Sequence, residues 1–171
     1  MSNRAYNTAY TGERSSRVAF PLGGIGAGML CLEGAGALSQ FSLRHAPDTG
    51  NEPTVFSAVC IKGKDGNIAR VLEGPVPSWK VMGIRTTSTP GSGVGLMGKT
   101  YGLPRFANSS FQSRFPFGTV ELTDPKLPIS VAITGWRSYE SAATVTTASC
   151  AIRITNTNAD TGMLARSPPT G

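Results

Sequence analysis

The sequence predicts an all-β domain, an antiparallel β-sandwich, and three observations carry that prediction. Charged residues make up only 15% of the 171-residue chain, against roughly 25% in an ordinary globular domain. Glycine and proline are abundant, at 21 and 12 residues, which supplies turns at short intervals and none of the long Leu/Ala/Glu/Lys runs of coiled coils or helical bundles. Short segments alternate apolar and polar side chains with period two, and no amphipathic helical period competes with them. A chain of this length hides roughly 70% of its unfolded surface on folding, so one sizeable core is expected. No stretch reaches the roughly 18 apolar residues of a membrane span.

The elements follow in order. Residues 1–17 are polar, lack the apolar run of a secretory signal and are expected to form a disordered lead, with order starting near Val18. Residues 29–32 and 38–43, around the turn Gly34-Ala35-Gly36, form a first hairpin. A second joins Val55–Ile61 to Ile68–Leu72 through Lys64-Asp65-Gly66-Asn67, where Asp-Gly supplies the positive φ angles of a tight turn. The pattern weakens between Pro75 and Pro104, and Ser88–Gly95 reads as a flexible loop. Strands resume at Gly118–Thr123, Ile129–Thr134 and Thr144–Thr155, the last with Ala148, Cys150, Ile152 and Ile154 on one face. The sandwich is thus expected over residues 18–155, with an irregular tail at 156–171.

Few residues mark chemistry. The 16 Lys plus Arg outnumber the 10 Asp plus Glu, giving a net charge of +6, yet Arg44, Arg70, Lys80, Arg85, Lys99, Arg105 and Arg114 are dispersed. Phosphate tracking needs a contiguous basic stripe, so a solvated surface is expected and no nucleic-acid partner. Cys31, Cys60 and Cys150 lie in separate apolar runs and read as small buried thiols, with neither a disulfide framework nor a zinc spacing. His45 and Asp48 share a loop, but no G-x-S-x-G elbow accompanies them and one histidine cannot furnish a metal site. Among the acids, Glu33, Asp65 and Asp124 fall in or beside turns, Glu73 ends a strand and Glu121 faces water. No facing pair suited to glycoside hydrolysis declares itself, and each acid reads as a surface group. No catalytic, cofactor-binding or metal-ligating residue is therefore expected, and no cofactor.

Two features remain. The run Pro21-Leu22-Gly23-Gly24-Ile25-Gly26-Ala27-Gly28 fits neither a dinucleotide fingerprint nor a phosphate loop, and its glycines are expected to permit a tight crossing of backbones. Tyr101, Phe106, Phe111, Phe115 and Phe117, with Arg105 and Arg114 among them, form an aromatic block that reads as core or interface and, alternatively, as a sugar-stacking surface.

At these residues the chain resembles glycoside hydrolase family 116, the non-lysosomal glucosylceramidase or bile-acid β-glucosidase type. The similarity starts at Ala19-Phe20-Pro21-Leu22-Gly23-Gly24-Ile25-Gly26-Ala27-Gly28 and continues through residues 54–60, residues 69–72, the aromatic block to Phe117, Val120-Glu121-Leu122 and Thr134-Gly135-Trp136. It implies part of an N-terminal β-sandwich that precedes an (α/α)6 barrel, with the nucleophilic Glu and acid/base Asp of a retaining β-glucosidase in that barrel. No catalytic residue carries over onto this chain. Arg137–Ala143 departs from the family pattern and the segment to Gly171 resembles no domain end, so an incomplete sandwich is expected. Two function classes follow: a catalytically silent accessory domain, cytoplasmic, docking on a barrel and prone to self-association; or a free-standing carbohydrate-binding module in contact with β-glucosides.

Overall fold

A computed structural model describes residues 5–23, 28–42, 46–48, 51–63, 66–81, 100–136 and 149–157. His45, Asp65, Gly24, Gly26 and the 88–95 loop lie outside them. The described chain is built from ten strands: β1 (Tyr10–Thr11), β2 (Ala19–Leu22), β3 (Met29–Glu33), β4 (Leu38–Ser42), β5 (Ala58–Gly63), β6 (Gly66–Val71), β7 (Asn108–Arg114), β8 (Phe117–Thr123), β9 (Ile129–Trp136) and β10 (Ser149–Asn156). One four-residue helix, α1 (Ser78–Val81), and two short 3-10 turns are the only helical pieces among them.

The strands form antiparallel sheets in the orders β1-β7-β8-β9-β10, β2-β3-β4 and β5-β6. The all-β prediction holds, and so do the hairpins β3-β4 and β5-β6. The first turns through Gly36 at φ 90° and the second closes on Gly66 at φ 125°, values that favour a residue without Cβ.

Two layers face each other across the core, as a sandwich requires. Strand β2 crosses the inward face of β8 and β9, where Gly118 and Gly135 lie opposite one another in register. A Cβ on Gly118 would meet the Phe20 ring at 2.8 Å, and one on Gly135 would meet Leu22 Cδ2 at 2.5 Å. Two adjacent glycines thus make a trough for two large side chains. Around it Leu22, Leu32, Leu72, Phe106, Phe111, Val120, Leu122, Leu127, Val131 and Ile133 form the buried core.

Three expectations need correction. The polar composition up to residue 17 predicts disorder; instead Tyr10 pairs with Phe111 in β7 and their rings sit 6.3 Å apart. The Trp79 indole also donates to the Ser16 carbonyl at 2.9 Å while Arg17 lies over its ring. One tyrosine and one carbonyl anchor a segment whose composition is otherwise polar. Strand β7 falls inside the aromatic block, where the pattern predicts no strand, because Phe111 is the only apolar residue in Asn108–Arg114 and no alternation is visible. Finally, Cys31 is buried as expected but Cys60 and Cys150 are exposed.

Candidate functional site

The glycine-rich run begins on a buried side chain and bends sharply. Leu22 is 3% exposed, Gly23 and Gly28 adopt φ of 112° and 89°, and a Cβ on Gly23 would stand 3.2 Å from the Gly28 carbonyl oxygen. At its two described ends the run therefore does what the sequence suggests, a close approach of backbones.

A polar pocket opens beside the hairpin that follows. It is lined by Leu38, Val55, Val76 and Pro77 together with Glu33, Glu52, Glu73, Lys80, Tyr101 and Arg105. The Lys80 ammonium donates to Glu33 Oε1 at 2.5 Å and to Glu52 Oε1 at 2.8 Å. Tyr101 gives its hydroxyl proton to the other oxygen of Glu52 at 3.3 Å. Arg105 Nη2 donates to Glu73 Oε2 at 3.0 Å, and its guanidinium lies 6.0 Å from the Tyr101 ring.

Local structure explains the convergence. Glu33 is the last residue of β3, and the turn after it is closed by the Gly36 amide on the Glu33 carbonyl at 2.9 Å. Lys80 rides on α1, whose start is fixed by the Pro77 carbonyl accepting the Lys80 amide at 2.9 Å. Glu73 follows β6 and Arg105 meets Val71 in a parallel bridge, so the Arg105–Glu73 pair joins two neighbouring segments.

Burial governs the electrostatics. Lys80 is 3% exposed and Glu33 8%, so neither charge could persist there without the other. Desolvation pushes the Glu33 carboxyl above its ordinary range, opposed by the Lys80 ammonium and by hydrogen bonds. It likewise pushes the Tyr101 phenol up, helped by the charges of Glu52 and Glu33, which keeps that hydroxyl protonated as a donor. Burial together with Glu33 raises the Cys31 thiol, holding it as a neutral, unreactive group.

These positions correct the sequence reading of the charged residues. Glu33, Glu73 and Asp124, expected at the surface, are buried, and Lys80, Arg70 and Arg105, expected as solvated cations, are each paired. Lys80 and Arg105 pair as above, and Arg70 Nε lies 3.4 Å from Asp124 Oδ2. Glu121 is exposed as expected, and Asp48 is exposed, its amide donating to Ser42 Oγ at 2.9 Å. The aromatic block divides. Phe106 and Phe111 are core, Tyr101 joins the polar pocket, and Phe115 and Phe117 are exposed. Sequence reasoning missed Glu52 and Trp79 and read Lys80 only as a surface cation; the run Pro75-Val76-Pro77-Ser78 before Trp79 carried the available signal, since Pro and Ser commonly precede a helix start.

Among the described residues no group of three or more His, Cys, Asp or Glu could hold a metal ion, and no helix is long and apolar enough to cross a membrane.

Fold and site together define a β-sandwich domain with a buried ion cluster. Comparison with protein families matches residues 19–138 to the N-terminal domain described as beta-glucosidase 2, glycosyl-hydrolase family 116. The chain belongs to that family, as an N-terminal domain. No curated protein matches the chain.

Proposed function

We propose that the chain is the leading part of the accessory sandwich of a β-glucosidase of the non-lysosomal glucosylceramidase or bile-acid type, working in the cytoplasm. Its role is to dock on a catalytic (α/α)6 barrel and shape the entrance to it. The family match over residues 19–138 carries this reading, since a family 116 N-terminal domain implies a catalytic partner.

The carboxylates support an accessory role over a catalytic one. A retaining glycosidase holds two carboxyl groups about 5–5.5 Å apart across the scissile bond, one of them free to donate a proton. Glu33 and Glu52 instead turn toward the same ammonium, and Glu73 is taken by Arg105. Their chemistry is spent on holding the pocket together. Accordingly the purified chain is expected to release no aryl alcohol from aryl β-glucosides, and activity is expected only when the barrel of a related enzyme is joined to it. Turnover that is lost in Glu33→Gln, Glu52→Gln or Glu73→Gln variants of the chain alone would overturn the reading.

A further inference from the structure

Strand β7 is paired along the whole of one edge and along little of the other. All of Asn108–Arg114 ladders with β8, whereas β1 lays only Tyr10 and Thr11 against Phe111 and Ser110. The same register continued would set Ala9, Thr8 and Asn7 opposite Gln112, Ser113 and Arg114, and no ladder forms there. The reason is local. Asn7 sits at φ 63°, in the left-handed region that turns a chain aside, and the Thr8 hydroxyl donates to the Ala5 carbonyl at 2.9 Å, so residues 5–8 curl on themselves. An open gap of about 340 Å³, lined by residues 5–8, Tyr10 and Ser113, has room for several waters.

The segment is held unevenly. Its root is tight: Ser15 is buried, a Cβ on Gly34 would stand 2.3 Å from the Ser15 carbonyl oxygen, and the Trp79 indole donates to the Ser16 carbonyl. Its tip, residues 5–11, rests on the short ladder, the tilted contact of the Tyr10 and Phe111 rings, and Gln112 Nε2 donating to the Asn7 carbonyl at 3.3 Å. Between root and tip lies Gly12 at φ 54°, where a Cβ would meet nothing within 4 Å, so the joint is free of packing.

We propose that the tip is a displaceable cover and that the β7 edge beneath it is a docking site for an extended segment of a partner protein, with an aromatic side chain opposite Phe111. The tip shows what the edge accepts. It is uncharged from Ala5 to Thr11, and its Tyr10 ring lies against Phe111, which is 2% exposed and packed on its own layer's neighbour Phe20. A partner strand that runs straight pairs with all of Ser110–Arg114, where the tip pairs with Ser110 and Phe111 alone. Added strands of this kind gain affinity from main-chain hydrogen bonds and specificity from alternate side chains. The tip competes from within the chain, at an effective concentration in the mM range, which closes the edge to weak partners and to the same segment of another copy. The inference stands apart from the accessory-domain reading, which is decided by hydrolysis assays.

The test uses the full chain carrying Tyr10→Ser, whose tip cannot cover Phe111. It is titrated with a synthetic peptide of residues 5–12 bearing Asn7→Thr, which lets the peptide run straight, and followed by proton–nitrogen NMR. Saturable shifts of the Ser110–Arg114 amides with a Kd of about 1 mM are expected. In the parent chain the native tip should weaken the same binding about tenfold or more, and the peptide with Tyr10→Ser added should not bind. Circular dichroism and Tm report folding. Native-state hydrogen exchange on the parent chain keeps the test valid if Tyr10→Ser fails to fold: the β1–β7 ladder should exchange through an opening that leaves the Trp79 indole protected. The proposal is overturned by no saturable shift up to about 10 mM, by equal affinity in variant and parent, by shifts confined to β10, or by a β1–β7 ladder that exchanges only together with the Trp79 indole.

Discussion

Lys80 concentrates the residue-scale physics of this domain. A buried ammonium costs several kcal/mol of lost hydration, and two carboxylates and an aromatic ring surround this one, with the Trp79 ring 5.5 Å from Nζ. Lys80→Met would leave Glu33 and Glu52 without their counter-ion, at a cost of about 3–5 kcal/mol, read as a loss of urea midpoint. Glu33 behaves differently. Burial outweighs Lys80 and holds its pKa above the ordinary 4.5, so the folded state takes up a proton that the unfolded state has already released. Between the two pKa values the native protein binds more protons, and this group's contribution to stability falls as pH rises. Glu33→Gln removes that fall. The difference in unfolding free energy, variant minus parent, is therefore expected to grow as pH is raised from about 4.5 through the folded pKa. A difference that shrinks over the same range would mean that the ion pair with Lys80, and not burial, sets the pKa of Glu33.

Strand β2 and the glycines beneath it set the spacing between the two layers. Gly118 sits under the Phe20 ring, which also packs at a centroid distance of 6.0 Å on Phe111 of the neighbouring strand, so the ring is held close against this sheet. Gly118→Ala is expected to destabilise by about 1–3 kcal/mol through overpacking. Gly102→Ala, where a Cβ meets nothing within 4 Å, should be near neutral, and equal Tm changes at both positions would refute the packing account. The β3-β4 hairpin and strands β8 and β9 were legible because apolar residues alternate along them and glycine or proline punctuates them. β7 was not, since its register comes from partners on either side and not from its own pattern. The pocket was illegible for a related reason. Glu33 and Lys80 are 47 residues apart and Glu52 and Lys80 28, and a single sequence shows each charge without its partner.

At the scale of the whole molecule the open question is what meets β10. It is the last strand of its sheet, and among the described residues no strand pairs with its far side. Its core-facing residues continue the inward face of β9, opposite Gly135, Ile133 and Val131, yet Cys150 is exposed, Ile152 43% exposed and Ile154 50%. Two other edges are blunted: β2 contains Pro21, and β4 pairs through a register shift. β10 has eight residues, no proline and an unbroken register with β9, the features that make an edge a template for pairing. A second copy fits it. Antiparallel pairing about a two-fold centred on Ile152 sets Ile152 against itself, Cys150 against Ile154 and Ala151 against Arg153, so apolar meets apolar and the two Arg153 do not face one another. Centring on Arg153 would oppose like charges, which disfavours it. The net charge of +6 resists association only weakly at physiological salt, where screening acts over about 8 Å. Light scattering is therefore expected to show the chain associating to about twice its 17.8 kDa. Ile152→Arg should return it to a monomer with an unchanged circular dichroism spectrum. The double variant Cys60→Ser, Ile154→Cys should form an inter-chain disulfide between its introduced thiol and the native Cys150 under mild oxidation, and adding Cys150→Ser should abolish it. A chain that stays monomeric at high concentration, or whose double variant dimerises without forming that disulfide, would show that the β10 edge does not meet its own copy in this register.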